Sequence, residues 1–426
     1  MNPDTRQASY REVFSVPEYR ALFTSDATSL LGDQVAAVAL AVLLYQRSGS
    51  ALIAALGYSA AFLPWAIGGP VLSALADRLP ARQVVVGCDL LRAALIGLAA
   101  VPGTPLLVVG LLVLTAAMLA PPFDASISAL YPQVLEGDRY AVGVSLRDAV
   151  HQGAQFVGFL TGGALILAIG PQWGMALDAL SFAISALLLR RGLNRRPPAS
   201  AEAAGTSLLR DSAEGLRLVS GDPRLHGPLL LGVLGAAYVI VPEAIAPVYA
   251  HSVGAGAGVV GLVMGSVAAG RIIGGVLLTR LVPPAVRPRL MWPLAVIGTL
   301  PLLPIAARPT LPVALALFAL AGAASAYQIA ANTAFAMAAP AHARARVFGI
   351  AMTGMYGGQA LAIVAAGAAA QFVAPTTVIA GAGVAGAGAI ALLRLRLAAG
   401  APTRDRSTLL AQLTAPPPEM VDAGLV

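Results

Sequence analysis

The sequence contains no lysine, a single cysteine and few charged residues for its length. All 27 basic residues among its 426 positions are arginine, and charged residues make up 11% of the chain, against about 25% in a soluble domain. Without lysine there is no G-x-x-x-x-G-K-[ST] phosphate-binding loop, which argues against an ATP-driven pump within this chain. Because Cys88 is alone, an intrachain disulfide and a cysteine metal cluster are both excluded.

Apolar residues, which form 58% of the chain, are arranged in long runs without charge. One run of 47 residues separates Arg346 from Arg394, with Pro375 inside it, and another of 31 residues separates Arg92 from Asp124. A membrane-spanning helix needs about 20 apolar residues, so the longer run accommodates two spans. A soluble helical bundle would require a polar face on each helix, which these runs lack. The sequence therefore predicts an all-α polytopic membrane protein.

Twelve spans in two sets of six are predicted when the apolar runs are divided at their turn residues. The expected spans are 22–46, 51–76, 83–102, 105–130, 140–169, 171–190, 228–250, 257–281, 289–307, 310–339, 346–373 and 376–395. The corresponding domains are an N-terminal segment 1–21, a six-helix bundle 22–190, a central loop 191–227, a second six-helix bundle 228–395 and a tail 396–426. The proline-rich tail is expected to be disordered.

Arginine is distributed unevenly between the two sides of these spans. One side receives 22 arginines and the other only Arg47 and Arg308. Because basic residues accumulate in cytoplasmic loops, both termini and the central loop are predicted to be cytoplasmic, in a plasma or inner membrane. A nucleic-acid-binding patch is the competing interpretation of the central arginines. It is disfavoured because Arg190 and Arg191 lie where a span must end, and no nucleic-acid partner is expected.

An ionisable group inside the bilayer is costly and needs a partner or a hydrated cavity, so such groups are functional candidates. Asp33 lies about 16 Å into the first predicted span at 1.5 Å per residue. Its carboxyl group is therefore a candidate for proton coupling, because burial disfavours the charged form. The alternative is a buried aspartate that is hydrogen-bonded for structural reasons.

Span five carries four polar residues on one helix face. Asp148, His151, Gln152 and Gln155 follow the spacing i, i+3, i+4 and i+7, which places them on one side of an otherwise apolar helix. Asp148 and His151 are further proton-coupling candidates, although a structural histidine is an equal alternative. Arg271 in span eight lies at a similar depth, about 15 Å from the cytoplasmic end, against about 12 Å for Asp148.

Two glycine-rich matches and the four histidines are not expected to form sites. The G-x-G-x-x-G matches at 256–261 and 381–386 lie in predicted membrane helices, whereas a dinucleotide site requires a preceding strand. The histidines are scattered and provide no metal-ligand cluster. We therefore expect no cofactor, no metal and no catalytic residues. A membrane-embedded enzyme or sensor remains a less favoured alternative.

Several motifs resemble those of the major facilitator superfamily, and within it the drug:proton antiporter branch that includes macrolide and enterobactin exporters. They are Ser29-Leu30-Leu31-Gly32-Asp33, Leu75-Ala76-Asp77-Arg78, Asp89-Leu90-Leu91-Arg92 and Leu177-Asp178-Ala179-Leu180-Ser181-Phe182. The resemblance implies twelve helices in two pseudo-symmetric halves that rock around a central site. It also implies a monomer that exports a small lipophilic or amphipathic molecule (a drug, natural product or siderophore-like compound) in exchange for protons. An importer or uniporter of a small metabolite is the alternative.

The same resemblance suggests a cytoplasmic gate near the loop between spans two and three. Asp77, Arg78 and Arg82 match the superfamily's charged loop motif, while Ser73 replaces its first glycine. Asp89 and Arg92 follow at i and i+3, a spacing that predicts an intrahelical ion pair. These five charged residues are the gate candidates. Simple charge flanking of a span is the alternative for Asp77 and Arg82.

In the superfamily, spans five and eight lie side by side and spans one, four, seven and ten line the cavity. The first relation predicts an ion pair between Asp148 and Arg271, and close packing through the glycine-rich stretch 158–163. Glu243, between Pro242 and Pro247, becomes a fourth proton-coupling candidate in a broken span seven. Helix packing is the alternative for each of the cavity candidates, which are Gln34, Trp65, Met118, Gln152, Gln155, Tyr238, Tyr327, Gln328 and Asn332.

Overall fold

The computed structural model describes residues 8–67, 79–196, 208–340 and 343–399, and all regular secondary structure within these ranges is helical. A short helix, Tyr10–Phe14, precedes the first six segments. These are α1 (Pro17–Ser48), α2 (Ala51–Ser59 and Leu63–Ile67), α3 (Ala81–Ala99), α4 (Leu106–Ala117 and Ala120–Val134), α5 (Asp138–Ile169) and α6 (Pro171–Gly192).

The C-terminal segments follow the helix Leu208–Gly221. They are α7 (Pro223–Val239, Val241–Ala244 and Ala246–Ser252), α8 (Ala257–Leu281), α9 (Arg287–Ile297 and the 3₁₀ helix Leu300–Ala307), α10 (Leu311–Ala324 and Tyr327–Ala338), α11 (Arg344–Ala369) and α12 (Pro375–Ala399). Within the described ranges, ten helical stretches are long and apolar enough to cross a membrane. The two remaining predicted spans are 51–76 and 83–102. The first extends into residues that the structure does not describe. The second corresponds to α3, which is less apolar because it carries three charged residues among its 19.

Proline and glycine fix the ends of several helices. Pro17 and Pro171 occupy the first turns of α1 and α6, where the missing N–H group costs nothing. Gly49 ends α1 with φ of 65°, a left-handed conformation that glycine adopts without strain. The Ser50 hydroxyl then accepts a hydrogen bond from the Ile53 backbone N–H at 3.3 Å, which caps α2. A tight turn thus reverses the chain between the first two helices.

The starts of α1 and α7 and the central segment differ from the sequence prediction. Helix α7 begins at Pro223 instead of residue 228. Helix α1 begins at Pro17 instead of residue 22, because the charged residues of its first turn lie at the helix end and do not have to enter the bilayer. The segment 191–227, predicted as a loop, contains the helix Leu208–Gly221. Val219 of this helix is 3% exposed and packs in one cluster with Leu225 and Phe335. A polar segment with one apolar face is typical of a surface helix, and this pattern was available in the sequence.

The helices alternate in direction, so their ends define two faces of the fold. The arginine-rich face is where α3 and α9 begin and α6 and α8 end, with Arg82, Arg190, Arg280 and Arg287. The arginine-poor face is where α1 ends and α2 begins, at the turn 48–50. One hydrophobic cluster draws residues from both sets of helices, whereas the two remaining clusters of buried residues are each confined to one set. The two confined clusters lie toward the arginine-rich face.

Contact between the two sets is closest where α5 meets α8. A Cβ atom added to Gly163 would lie 2.8 Å from the Cα atom of Gly261, and one added to Gly261 would lie 2.4 Å from the carbonyl oxygen of Phe159. Only glycine allows two helix backbones to approach this closely. The close packing expected from the glycine-rich stretch of span five is therefore confirmed. Near the arginine-poor face, the Gln371 side-chain amide after α11 also forms a hydrogen bond with the Ser50 hydroxyl, next to the start of α2, at 2.5 Å.

Candidate functional site

A cavity of about 510 Å³ lies among helices α1 to α6 and α11. Its volume falls within the range of sites that enclose drug-sized molecules, about 300–1,000 Å³. The polar part of its described lining comes from α1, α3, α4, α5 and α6, whereas α2 and α11 contribute mainly aromatic and methionine side chains. The cavity is therefore chemically two-sided.

Asp33 and Asp178 are the acidic lining residues that form no ion pair with a described basic side chain. Asp33 is the middle residue of α1 and forms no hydrogen bond or ion pair within 4.0 Å with a described residue. Asp178 of α6 is 1% exposed, and its carboxylate accepts a hydrogen bond from Ser181 at 3.3 Å. The Asp178 carboxylate packs against Gly32, where an added Cβ would lie 2.6 Å from its Oδ1 atom. The glycine before Asp33 thus lets the two acidic residues lie close together.

Arg92 supplies the positive charge nearest to these acids. It is 7% exposed, and its Nη1 atom lies 4.0 Å from Asp89 Oδ1, at the i,i+3 spacing that predicts this pair. Its guanidinium carbon lies 5.2 Å from the ring centroids of both Phe123 and Phe182, a distance that allows cation–π attraction. Asp89 also accepts a hydrogen bond from Ser185 at 2.5 Å. Arg92 is therefore held by α3, α4 and α6 at the edge of the cavity.

A second charged cluster joins α1, α4 and α5. Arg147 donates to Asp26 Oδ2 at 3.0 Å and to Asp124 Oδ1 at 2.9 Å. Asp26 is 4% exposed, so its charge needs such a partner. Sequence reasoning left Asp124 unassigned and did not single out Asp26 or Arg147. Three acidic or basic residues in apolar helices were the available signal, but their pairing depends on which helices are neighbours.

A third cluster links the two sets of helices. Arg271 of α8 lies 3.1 Å from Glu243 Oε1 of α7, and Tyr58 of α2 donates a hydrogen bond to Glu243 Oε2 at 2.9 Å. Arg271 also reaches Gln155 of α5 at 3.5 Å. The Glu243 carboxylate therefore has one partner from each set of helices, Arg271 and Tyr58. Because Glu243 is 1% exposed, this carboxylate is also shielded from water.

Aromatic side chains form the other wall of the cavity. The rings of Trp65 on α2 and Tyr356 on α11 are stacked, with centroids 5.5 Å apart and planes at 23°. Phe62 lies 6.2 Å from Tyr356 between ring centroids. Met352 and Met355 of α11 line the same cavity. Methionine and aromatic groups of this kind accommodate apolar ligands of varied shape.

The predicted ion pair between Asp148 and Arg271 is wrong. Arg271 pairs with Glu243 of its own set, and Asp148 is exposed and forms no ion pair with a described residue. The prediction failed because it did not give the rotation of α5 about its axis. Arg147 contacts Asp26 of α1 and Asp124 of α4, and Asp148, one residue later, is turned about 100° away from them. His151 and Gln155, on the same predicted polar face, do line the cavity.

The substrate-cavity candidates divide into two groups. Gln34, Trp65 and Gln155 belong to the described lining of this cavity. Two of the others are directed elsewhere, because the Tyr238 hydroxyl donates to the Ala295 carbonyl at 2.8 Å and the Tyr327 hydroxyl to the Leu231 carbonyl at 3.4 Å. Both bonds lie within the C-terminal set. The candidates outside the described lining are Met118, Gln152, Tyr238, Tyr327, Gln328 and Asn332.

The gate candidates are only partly described. Asp77 and Arg78 lie outside the described residues. Arg82 donates a hydrogen bond to the carbonyl oxygen of Arg190 at the end of α6, which ties α3 to α6 within one set of helices. Asp89 and Arg92 lie deeper, at the cavity edge. Among the described residues, no group of histidine, cysteine and acidic side chains has a metal-binding arrangement.

Comparison with known proteins gives one family. The sequence profile of the Major Facilitator Superfamily matches residues 22–325. Macrolide efflux protein A of Streptococcus pyogenes is 29% identical over 77 residues, which is 18% of this chain and 19% of that protein. The chain thus aligns with less than a fifth of the length of this relative.

Solved structures share the fold at low sequence identity. A bacterial homologue of the human lysosomal transporter Spinster, inward-facing and unoccupied, has a TM-score of 0.63 at 15% identity and covers 92% of this chain and 96% of its own. The nucleoside transporter NupG has a TM-score of 0.62 at 15% identity, with coverage of 89% and 98%. The peptide transporter POT bound to sulfate has a TM-score of 0.67 at 15% identity, with coverage of 92% and 97%. These likenesses establish the fold alone.

Proposed function

The chain belongs to the Major Facilitator Superfamily, and we propose that this membrane transporter exports a small lipophilic or amphipathic molecule in exchange for protons. The observation that carries the proposal is Asp33, a carboxyl group at the middle of α1 that faces the cavity without a basic partner among the described residues. A lone carboxyl group in a membrane cavity favours its neutral form until water or a cation reaches it. It can therefore alternate between holding a proton and holding its charge.

The surroundings of Asp33 support such a cycle. Arg92, Asp26, Asp124 and Asp178 act on its charge from α1, α3, α4 and α6, and His151 of α5 lines the same cavity. Acidic groups outnumber basic ones in this set, so their mutual repulsion is relieved when one of them takes up a proton. Release of that proton to one side of the membrane would accompany the change in cavity access.

Alternating access is supported by where the two sets of helices meet. Helix α5 of one set packs against α8 of the other, and near the arginine-poor face Gln371 contacts the start of α2. Toward the arginine-rich face, the described buried apolar residues form two separate clusters, one in each set. By the positive-inside rule the arginine-rich face is cytoplasmic. On this assignment, the contacts among the described residues are those expected of an inward-facing state, which would load its substrate from the cytoplasm.

Export is favoured over import by the likeness to a macrolide efflux protein over 77 residues. The fold itself serves transporters of nucleosides and peptides as well, so direction needs a measurement. Cells that express the protein should accumulate less of a labelled candidate compound than control cells. A protonophore should raise accumulation to the control level. Higher accumulation in expressing cells would instead identify an importer.

Asp33→Asn tests the proton-coupling step. In proteoliposomes with an imposed pH gradient, we expect the variant to lose gradient-driven transport while it keeps normal expression and a single symmetrical peak in size-exclusion chromatography. Glu136→Gln is the matched control, since it also removes one negative charge but lies on an exposed loop. Gradient-driven transport by Asp33→Asn at the rate of Glu136→Gln would show that Asp33 does not couple protons.

A further inference from the structure

We propose that one corner of the arginine-rich face, formed by the C-terminal set, binds the phosphate groups of anionic phospholipids. We call it the basic corner and define it by the exposed arginines where α8 ends, α9 begins and α12 ends, which are Arg280, Arg289, Arg394 and Arg396. The inference goes beyond the proposed function and does not depend on it, because lipid binding requires neither a transported substrate nor protons.

Acidic residues are absent from the part of the sequence that forms the basic corner. Between Glu243 and Asp405 lie 161 residues that include ten arginines and no aspartate or glutamate. The first 243 residues contain 17 of the chain's 20 acidic residues, and on the same face of the N-terminal set Glu18 pairs with Arg196 at 2.7 Å. The N-terminal set thus supplies counter-ions for some of its own arginines, whereas α8, α9 and α12 have none to supply.

The four arginines of the basic corner are exposed and form no side-chain hydrogen bond or ion pair with a described residue. Their neighbour Arg287 differs, because it donates from Nε to the Val282 carbonyl at 3.0 Å and from Nη2 to the Thr279 carbonyl at 2.9 Å. It thereby satisfies carbonyl groups at the end of α8 and holds the start of α9 beside them. Arg287 has a structural role, whereas the guanidinium groups of the basic corner are available to an external anion.

Helix register brings the arginines of α9 and α12 to one level. The two helices pack antiparallel, and a Cβ atom added to Gly383 of α12 would lie 2.9 Å from the Thr299 carbonyl oxygen and 3.1 Å from the Leu302 Cβ atom. Antiparallel helices with the same rise per residue keep this register, so Arg289 lies level with about residues 393–396 of α12. The end of α8, with Arg280, is bonded to the same end of α9 through Arg287. The four arginines therefore form one patch.

Exposed leucines place the basic corner at the edge of the apolar surface. Leu281, Leu392 and Leu395 are between 52% and 73% exposed and lie within two residues of its arginines. Leucines in such positions contact lipid chains, and the arginine side chains beside them extend to the interface, where the phosphate groups lie. A guanidinium group donates two parallel hydrogen bonds to a phosphate. Stabilisation of helix ends does not explain the whole patch, because Arg289 lies in the first turn of α9, at the positive end of the helix dipole.

Quenching of tryptophan fluorescence by brominated lipids tests the proposal. Trp292 lies one helical turn after Arg289 on α9, whereas Trp173 lies at the start of α6 on the arginine-poor face. Two versions of the full chain each retain one of these tryptophans, with phenylalanine at the other one and at Trp65. They are reconstituted in vesicles of phosphatidylcholine and phosphatidylglycerol in which only one of the two lipids carries bromine. The quenching gives the binding constant of phosphatidylglycerol relative to phosphatidylcholine at each tryptophan.

We expect this ratio to be at least about fivefold at Trp292, since each basic residue near an anionic lipid surface contributes about this factor, and close to one at Trp173. Replacing all four arginines of the basic corner with glutamine should lower the ratio at Trp292 to about one. Replacing them with lysine, which keeps the charge, should preserve most of it. Arg308→Gln is the matched control, because it removes an exposed arginine from the arginine-poor face, and it should leave the ratio unchanged.

Three results would each overturn the proposal. They are a ratio near one at Trp292, an equal preference for phosphatidylglycerol at both tryptophans, and an undiminished ratio in the glutamine variant when size-exclusion chromatography shows that it is folded. The comparison of the two tryptophans uses the intact basic corner, so it remains decisive if the glutamine variant does not fold. Because the measurement involves no substrate and no proton gradient, its failure would leave the export assay untouched, and failure of the export assay would leave the lipid result standing.

Discussion

Tyr58 contributes one of the hydrogen bonds between the two sets of helices, and the removal of this bond should change their conformational equilibrium. The hydroxyl of Tyr58 in α2 donates to Glu243 in α7 at 2.9 Å, and Glu243 is 1% exposed. A hydrogen bond to a charged group contributes about 1.5–3 kcal/mol. This bond exists only while α2 and α7 are in contact. Tyr58→Phe should therefore shift the equilibrium toward separation of the sets at the arginine-poor face by about 10- to 150-fold.

Spin labels on the arginine-poor face measure that shift. Gln46→Cys lies near the end of α1 and Val373→Cys lies between α11 and α12; both positions are exposed. A Cys88→Ser background removes the native thiol, which is buried. Pulsed electron paramagnetic resonance then gives the distribution of distances between the two labels. We expect one dominant short distance between the labels in the protein that keeps Tyr58. In Tyr58→Phe we expect a substantial second population at longer distance.

Tyr238→Phe is the matched control for this experiment. It also removes a buried tyrosine hydroxyl, but that group donates to Ala295 within the C-terminal set at 2.8 Å. The control should lose stability in a thermal scan without changing the distance distribution. If both variants changed the distribution equally, or neither did, the hydrogen bond between Tyr58 and Glu243 would have no part in closing the arginine-poor face.

Two further predictions concern packing and charge pairing. Gly261→Ala should separate α5 from α8 and so lower both the midpoint of thermal unfolding and the transport rate. The added Cβ would lie 2.4 Å from the Phe159 carbonyl oxygen, and such overpacking costs about 1–3 kcal/mol. Gly381→Ala is the control, because its added Cβ meets open space, and it should change neither quantity. Arg147→Gln should destabilise the protein by about 3 kcal/mol, because it leaves Asp26 buried and unpaired. The double variant with Asp26→Asn should regain much of that loss in thermal unfolding, and a double variant no more stable than Arg147→Gln would contradict the pairing.

The membrane helices could be predicted because the bilayer acts on sequence directly. A charge inside a span is costly, so the uncharged run between Arg346 and Arg394 reveals two spans without any knowledge of neighbouring helices. The helix Leu208–Gly221 does not follow from polarity alone, because its apolar face shows only in the periodicity of the segment.

The partners of the charged residues were harder to predict, because pairing depends on helix rotation and on neighbours distant in sequence. Arg147 and Asp148 differ by one position, yet the first joins Asp26 and Asp124 whereas the second is exposed. The depth of Arg271 suggested a partner at the same depth, but Glu243 on the adjacent helix reaches it. Depth along a helix follows from residue counting; direction around the helix requires the packed structure.

On the proposed function, the two sets of helices divide the chemistry of transport between them. The N-terminal set holds Asp33 and Asp178, which form no ion pair among the described residues, so a change in bound protons would act on α1 and α6. The C-terminal set contributes a charge pair whose acid, Glu243, is bonded across the interface by Tyr58. Helix α2 therefore connects the two, because it carries both Tyr58 and the aromatic residue Trp65 of the cavity wall. A ligand that moves α2 as it packs against Trp65 would act on the Tyr58 hydrogen bond about two helical turns away, which provides a short mechanical route from cavity occupancy to the closure of the arginine-poor face.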